Sequence, residues 1–99
     1  MRFEWNEAKN RQNLRKHDIR FETAVLVFDD PSAMTKRDSA HDEHEERFIT
    51  LGAIGPGSIL FVVHTWGERN GEENIRIISA RAATARERKS YEDANQRES

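Results

Sequence analysis

The chain has 99 residues, 35% hydrophobic and 34% charged, with 16 Lys and Arg against 18 Asp and Glu, a formal net charge of −2 and no cysteine. A chain of this size buries roughly 60–65% of the surface its unfolded form exposes, so one thin core over a single domain, 1–99, is expected. The lack of cysteine excludes a disulfide scaffold, a thiol nucleophile and a Cys-ligated zinc site. No apolar run approaches the ~20 residues that span a bilayer, and the N-terminus has no signal-peptide core, so a soluble, cytoplasmic protein with no membrane partner is expected.

In chain order, Phe3-Glu4-Trp5 alternates like a short edge strand. Asn6 offers a helix N-cap, Glu7 suits the positive helix start, and helix formers run to about His17. This helix has little apolar surface, so it must be held by a narrow contact. Phe21, Ala24, Val25 and Phe28 fall at i, i+3, i+4 and i+7, a second helical stripe, which Asp29-Asp30-Pro31 ends. Ser39 to Glu46 reads as a loop. Arg47 to Leu51 reads as a strand, Gly55-Pro56-Gly57 as a turn, and Ser58 to Trp66 as a central strand buried on both faces. Asn70-Gly71 is a hairpin signal leading into a partner strand, Asn74 to Arg81. Thr84 with Glu87 is a capping box that opens a last helix, and 92–99, with little to bury, is expected to fray. The fold class that follows is α+β, a small antiparallel sheet with helices packed on one face.

Charge is unevenly placed. Residues 1–20 hold six Lys and Arg against three Asp and Glu, 21–46 two against eight, 47–73 two against three, and 74–99 six against four. If the two ends of the chain lie side by side, their cations form one basic face that attracts a phosphate backbone. A well-solvated surface accounts for the same composition. Lys9 and Lys16, with Asn13 between them and His17 beside, form a cationic and amide row along the first helix. Such a row grips successive phosphates or is merely solvated. His64 ends the most apolar strand, where it serves either as general acid or base or as a core histidine bonded to backbone.

Arg81 ends the next strand beside the capped helix start, a place for an anion. Arg76, five residues earlier, faces the other way unless a bulge intervenes, and it equally suits a cross-strand ion pair. Trp5 and Trp66 either stack bases or cover the core. His41-Asp42-Glu43-His44 carries ligand atoms at a spacing unlike any helical zinc motif, so no metal and no cofactor is expected.

Phe3-Glu4-Trp5-Asn6-Glu7-Ala8-Lys9, Asn13-Leu14-Arg15-Lys16-His17, Phe28-Asp29-Asp30-Pro31, Glu46-Arg47-Phe48, Val63-His64-Thr65 and Arg76-Ile77-Ile78-Ser79-Ala80-Arg81 occur in that order. The set resembles the BrnT toxin family, the toxin half of BrnT–BrnA type II toxin–antitoxin modules, from Phe3 to about Tyr91. The resemblance implies a RelE-like fold and a ribonuclease that arrests translation. Its implied partner is a BrnA-like antitoxin with a ribbon-helix-helix part, through which alone the complex reaches operator DNA. The family's helix lysine falls on Lys9, its strand basic residues on Arg76 and Arg81, and its strand histidine on His64. Asp18 stands where relatives carry glycine, and Arg20 where they carry a small capping residue; both touch helix ends.

RNA cleavage without a metal needs a base for the 2′-hydroxyl, positive charge on the phosphorane and a proton for the 5′-oxygen. The roles that follow are proton transfer for His64, phosphorane contacts for Lys9 and Arg81, and RNA binding for Lys16, His17 and Arg76. The alternatives are a non-catalytic antitoxin partner acting through operon autoregulation, and a nucleic-acid-binding module without turnover.

Overall fold

A computed structural model of the chain describes residues 1–41 and 45–96. Its elements are β1 (Arg2–Glu4), α1 (Glu7–His17), α2 (Phe21–Ala24) running into a 3₁₀ segment (Val25–Asp29), β2 (Met34–Arg37), a 3₁₀ turn (Ser39–His41), β3 (Phe48–Gly55), β4 (Ser58–His64), β5 (Gly67–Arg69), β6 (Glu72–Ala82) and α3 (Ala85–Gln96). The sheet order is β1-β6-β4-β3-β2, with β5 also paired to β6.

The local signals behave as expected at several points. Asn6 caps α1, its side chain accepting from the Lys9 N–H at 3.0 Å. Asn70 and Gly71, at φ 54° and 78°, make the two-residue turn between the paired residues Arg69 and Glu72. Thr84 and Glu87 exchange capping bonds of 2.9 and 3.2 Å at the start of α3. That helix continues to Gln96, aided by a Lys89–Asp93 pair one turn apart. Asp18 takes the left-handed conformation, φ 59°, that ends α1, where its N–H bonds the Leu14 carbonyl.

Two features of the expected architecture are corrected. The sheet is mixed, not antiparallel: β1 runs parallel to β6, with Phe3 opposite Ile75. Residues 5–71 lie between these strands, which supplies the long connection that a parallel pair requires. Nor do the helices share one face. β4 is apolar on both sides, so both must be covered. On one side Phe21, Ala24 and Val27 pack on Leu60, Val62, Ile75, Ile77 and Ala80. On the other, Leu51 and Ile59 are buried outside that cluster, and residues Arg86, Glu87 and Ser90 of α3 stand beside Ile49, Leu51 and Phe61.

The second helical stripe tightens after one turn. Continuing as a 3₁₀ segment changes the repeat to three residues, so Phe21, Ala24 and Val27 are deepest while Val25 and Phe28 sit at the margin. Gly52 lets this segment lie against β3, since a Cβ there would come within 2.8 Å of the Val27 Cβ. Strands β2 and β5 lie where no strand was expected. β5 is exposed throughout and β2 nearly so, which leaves neither an apolar alternation to read.

Candidate nucleic-acid interface

The surface that gathers most of the expected cations is built on α1, a helix with no buried apolar side chain. Its buried residues are Asn10 and Asn13, one turn apart. Asn13 clamps α1 to β6 beyond the reach of β1: its Oδ1 accepts from the Ala80 N–H at 3.1 Å, and its Nδ2 donates to the Ala80 carbonyl at 2.8 Å and the Ile19 carbonyl at 2.9 Å. Asn10 does the same for α2, accepting from the Phe21 N–H and donating to Glu7 and Glu22. Its bond holds the Glu22 carboxyl below the usual carboxylate range. The narrow contact expected of this helix therefore consists of amides. Asn13 spends its amide inward and is not part of a phosphate-gripping row. Both residues are poor helix formers in mid-helix, a signal that was open to reading.

With that side fastened, Lys9, Gln12, Asn13, Arg15, Lys16 and His17 line a groove between α1 and Ile78 and Ser79 of β6. The far wall depends on a bulge. Val63 pairs with Ser79 but His64 with Ile77, so Ile78 is an extra residue. One added residue reverses the alternation, and Ile77 and Ala80 consequently both enter the core, at 2% and 1% exposure. For the same reason Arg76, Ser79 and Arg81 share the opposite face. The bulge on which a common face for the two arginines depends is present.

Arg81 stands two residues beyond the groove wall. Its Cζ lies 3.9 Å over the Phe61 ring, and its Nη1 and Nη2 donate to the two carboxylate oxygens of Glu87 at 2.8 and 3.0 Å. That pairing, against the cost of burial, holds the Glu87 carboxyl at about 2. Arg76 is paired with Glu45. The capping role of Glu87 was legible from Thr84; its grip on Arg81, from strand to helix, was not.

His64 is not brought to these residues. In β4 Val63 and Phe61 face Ser79 and Arg81, so His64 faces the other way, 0% exposed, with the Phe28 ring edge-on at 5.0 Å and Phe48 stacked at 6.1 Å. The Thr65 carbonyl accepts at 2.9 Å, which puts the ring proton on Nδ1; Nε2 therefore accepts from the Thr50 hydroxyl at 2.8 Å. Thr35 Oγ1 lies 2.7 Å further along. The core-histidine alternative describes this placement. Trp5 also covers the core, edge-on to Phe21, whereas Trp66 is 44% exposed beside Phe48.

Burial pushes the His64 imidazole below its ordinary value, against the opposing pull of the Thr65 carbonyl. Unfolded His64 takes up a proton first as pH falls below about 6.5. Its contribution is therefore complete above that pH and declines beneath it, by up to about 1.4 kcal/mol per pH unit, until the folded group also titrates. Urea unfolding of the wild-type and His64→Gln proteins between pH 7.5 and 5 checks this, the variant showing the flatter curve; parallel curves would contradict it.

Among the described residues no group of His, Asp and Glu is arranged to hold a metal ion. Residues 42–44 of the His41–His44 segment lie outside the described residues. No described helix is long and apolar enough to cross a membrane.

A mixed sheet with a basic helix along the edge of its longest strand is a fold with a solved counterpart. The crystal structure of the Brucella abortus ribonuclease toxin BrnT matches with a TM-score of 0.63 and 23% identity, over 85% of this chain and 97% of that one. The sequence profile of the ribonuclease toxin BrnT of type II toxin–antitoxin systems matches residues 5–87. The chain belongs to the BrnT toxin family. No curated protein matches it.

Proposed function

We propose that this chain, which we read as RelE-like, cleaves RNA without a metal ion at the groove between α1 and β6, and that the cleavage arrests translation. The supporting observation is the groove itself, in which Lys9, Lys16 and His17 face Ser79, two residues before Arg81 on one face of β6. Its lining is cationic and amide with no carboxylate, a donor set that suits a phosphate and repels a divalent cation.

In this reading a base takes the 2′-hydroxyl proton, the 2′-oxygen attacks the adjacent phosphorus, the bond to the 5′-oxygen breaks, and an acid protonates that oxygen. Lys9 and Arg81 stabilise the charge on the phosphorane oxygens. Lys16 binds the flanking strand, and Arg76 adds to it once freed from Glu45. The exposed imidazole of His17 takes the proton-transfer role that enclosure denies to His64. A BrnA-like antitoxin with a ribbon-helix-helix part neutralises the toxin and carries the complex to operator DNA.

The purified chain is expected to cut a mixed-sequence single-stranded RNA in EDTA and to leave 2′,3′-cyclic phosphate ends. The same strand with 2′-deoxy sugars should stay whole. Intact RNA under these conditions, from a folded protein, would overturn the reading in favour of a non-catalytic antitoxin partner.

A further inference from the structure

Arg81 has five N–H donors. Nη1 spends one on Glu87 Oε1 and one on the Ala82 carbonyl at 3.2 Å, and Nη2 spends one on Glu87 Oε2. The two that remain, Nε–H and the second Nη2 hydrogen, lie side by side on one edge of the plane. The Phe61 ring lies beneath the guanidinium, its centroid 3.9 Å from Cζ. The Glu87 carboxylate is fixed in turn, because its Oε1 accepts from the Thr84 backbone N–H at 2.9 Å. The guanidinium thus has a set direction, and its side chain keeps 35% exposure.

We infer that Glu87 is a positioning residue that aims the free two-donor edge of Arg81 at two oxygens of the scissile RNA phosphate. This rests on the reading of Arg81 given under the proposed function. A parallel pair of N–H donors matches two phosphate oxygens, and its value depends on angle as well as charge. A carboxylate on the far end of the guanidinium sets that angle without occupying the edge that meets the RNA. A capping box alone needs one carboxylate oxygen near the helix start; the second, on Nη2, serves only Arg81.

The test is single-turnover cleavage of a mixed-sequence single-stranded RNA by variants shown to be folded by their thermal transitions. Glu87→Gln should lower the rate at saturating protein about tenfold and shift the half-saturating concentration by less than about twofold, the signature of a contact made mainly in the transition state. Thr84→Ala, which removes the capping hydroxyl without touching the guanidinium, should stay within about twofold of wild type. In an Arg81→Ala background, Glu87→Gln should add no further loss. Should the glutamine variant not fold, Glu87→Asp, which keeps the charge and withdraws the carboxylate, is read the same way.

Wild-type or faster cleavage by Glu87→Gln would overturn the inference, the faster rate marking Glu87 as a block on Arg81. An equal loss in Thr84→Ala, or an undiminished further loss in the Arg81→Ala background, would reduce Glu87 to a helix cap. Full activity of Arg81→Ala itself would remove the underlying reading and this one with it. An impaired Arg81→Ala beside an unimpaired Glu87→Gln removes the present inference alone.

Discussion

Replacing either Lys9 or Arg81 by alanine is expected to slow RNA cleavage by about 10²–10³-fold while leaving the fold intact. Neither side chain is fully buried. Lys9 lies on the outer wall of a helix anchored by other residues, and Arg81 rests on Phe61 at the far end of β6. As the 2′-oxygen attacks, negative charge grows on the phosphorane oxygens, and a preset cation is worth more there than in the ground state. The loss should therefore fall on the rate at saturation more than on binding. Arg76→Ala should cost far less, because Glu45 already engages that guanidinium. Cleavage at the wild-type rate by both the Lys9→Ala and Arg81→Ala proteins would remove the groove as the reacting centre.

Asn13→Ala should cost about 2–4 kcal/mol of folding stability, a large effect for a polar residue on a helix. The substitution takes away one acceptor and two donor contacts at once, leaving the N–H and carbonyl of Ala80 and the carbonyl of Ile19 without that partner. Asn13→Asp should cost nearly as much, since a carboxylate can accept from Ala80 but sets its second oxygen against two carbonyls. Urea unfolding at 25 °C with an unchanged slope is the measurement. A loss below about 0.5 kcal/mol would mean that α1 is held by something other than this amide.

What the sequence made legible was chiefly local. Asn6, the Thr84–Glu87 box, the Asn70-Gly71 turn and the apolar run of β4 each act within a few residues, and each forms the element it signals. What it concealed depends on neighbours distant in the chain. β2 becomes a strand only by pairing with β3, and its exposed side chains carry no periodicity. β1 joins β6 from a distant part of the chain, Phe3 pairing with Ile75. The bulge at Ile78 has no glycine or proline to announce it, yet it decides that Arg76 and Arg81 share a face. His64 was ambiguous because a polar residue closing an apolar strand fits a reacting group and a satisfied core group equally well; only the side to which β4 turns it separates the two. The groove cations were readable as a helical row, whereas the amides that seat them look, in sequence, like more of the same polar surface.

That seating has a thermodynamic consequence. A helix fastened by Asn10 and Asn13 exposes little oil-like surface when it lifts away, so its release carries only a small heat-capacity change. The segment bearing Lys9, Lys16 and His17 is therefore expected to lift with less loss of apolar contact than the layer beneath Phe21 and Val27. Faster amide exchange in α1 than in β4 and β6 is the expected result, and equal protection throughout would tie this helix to the sheet.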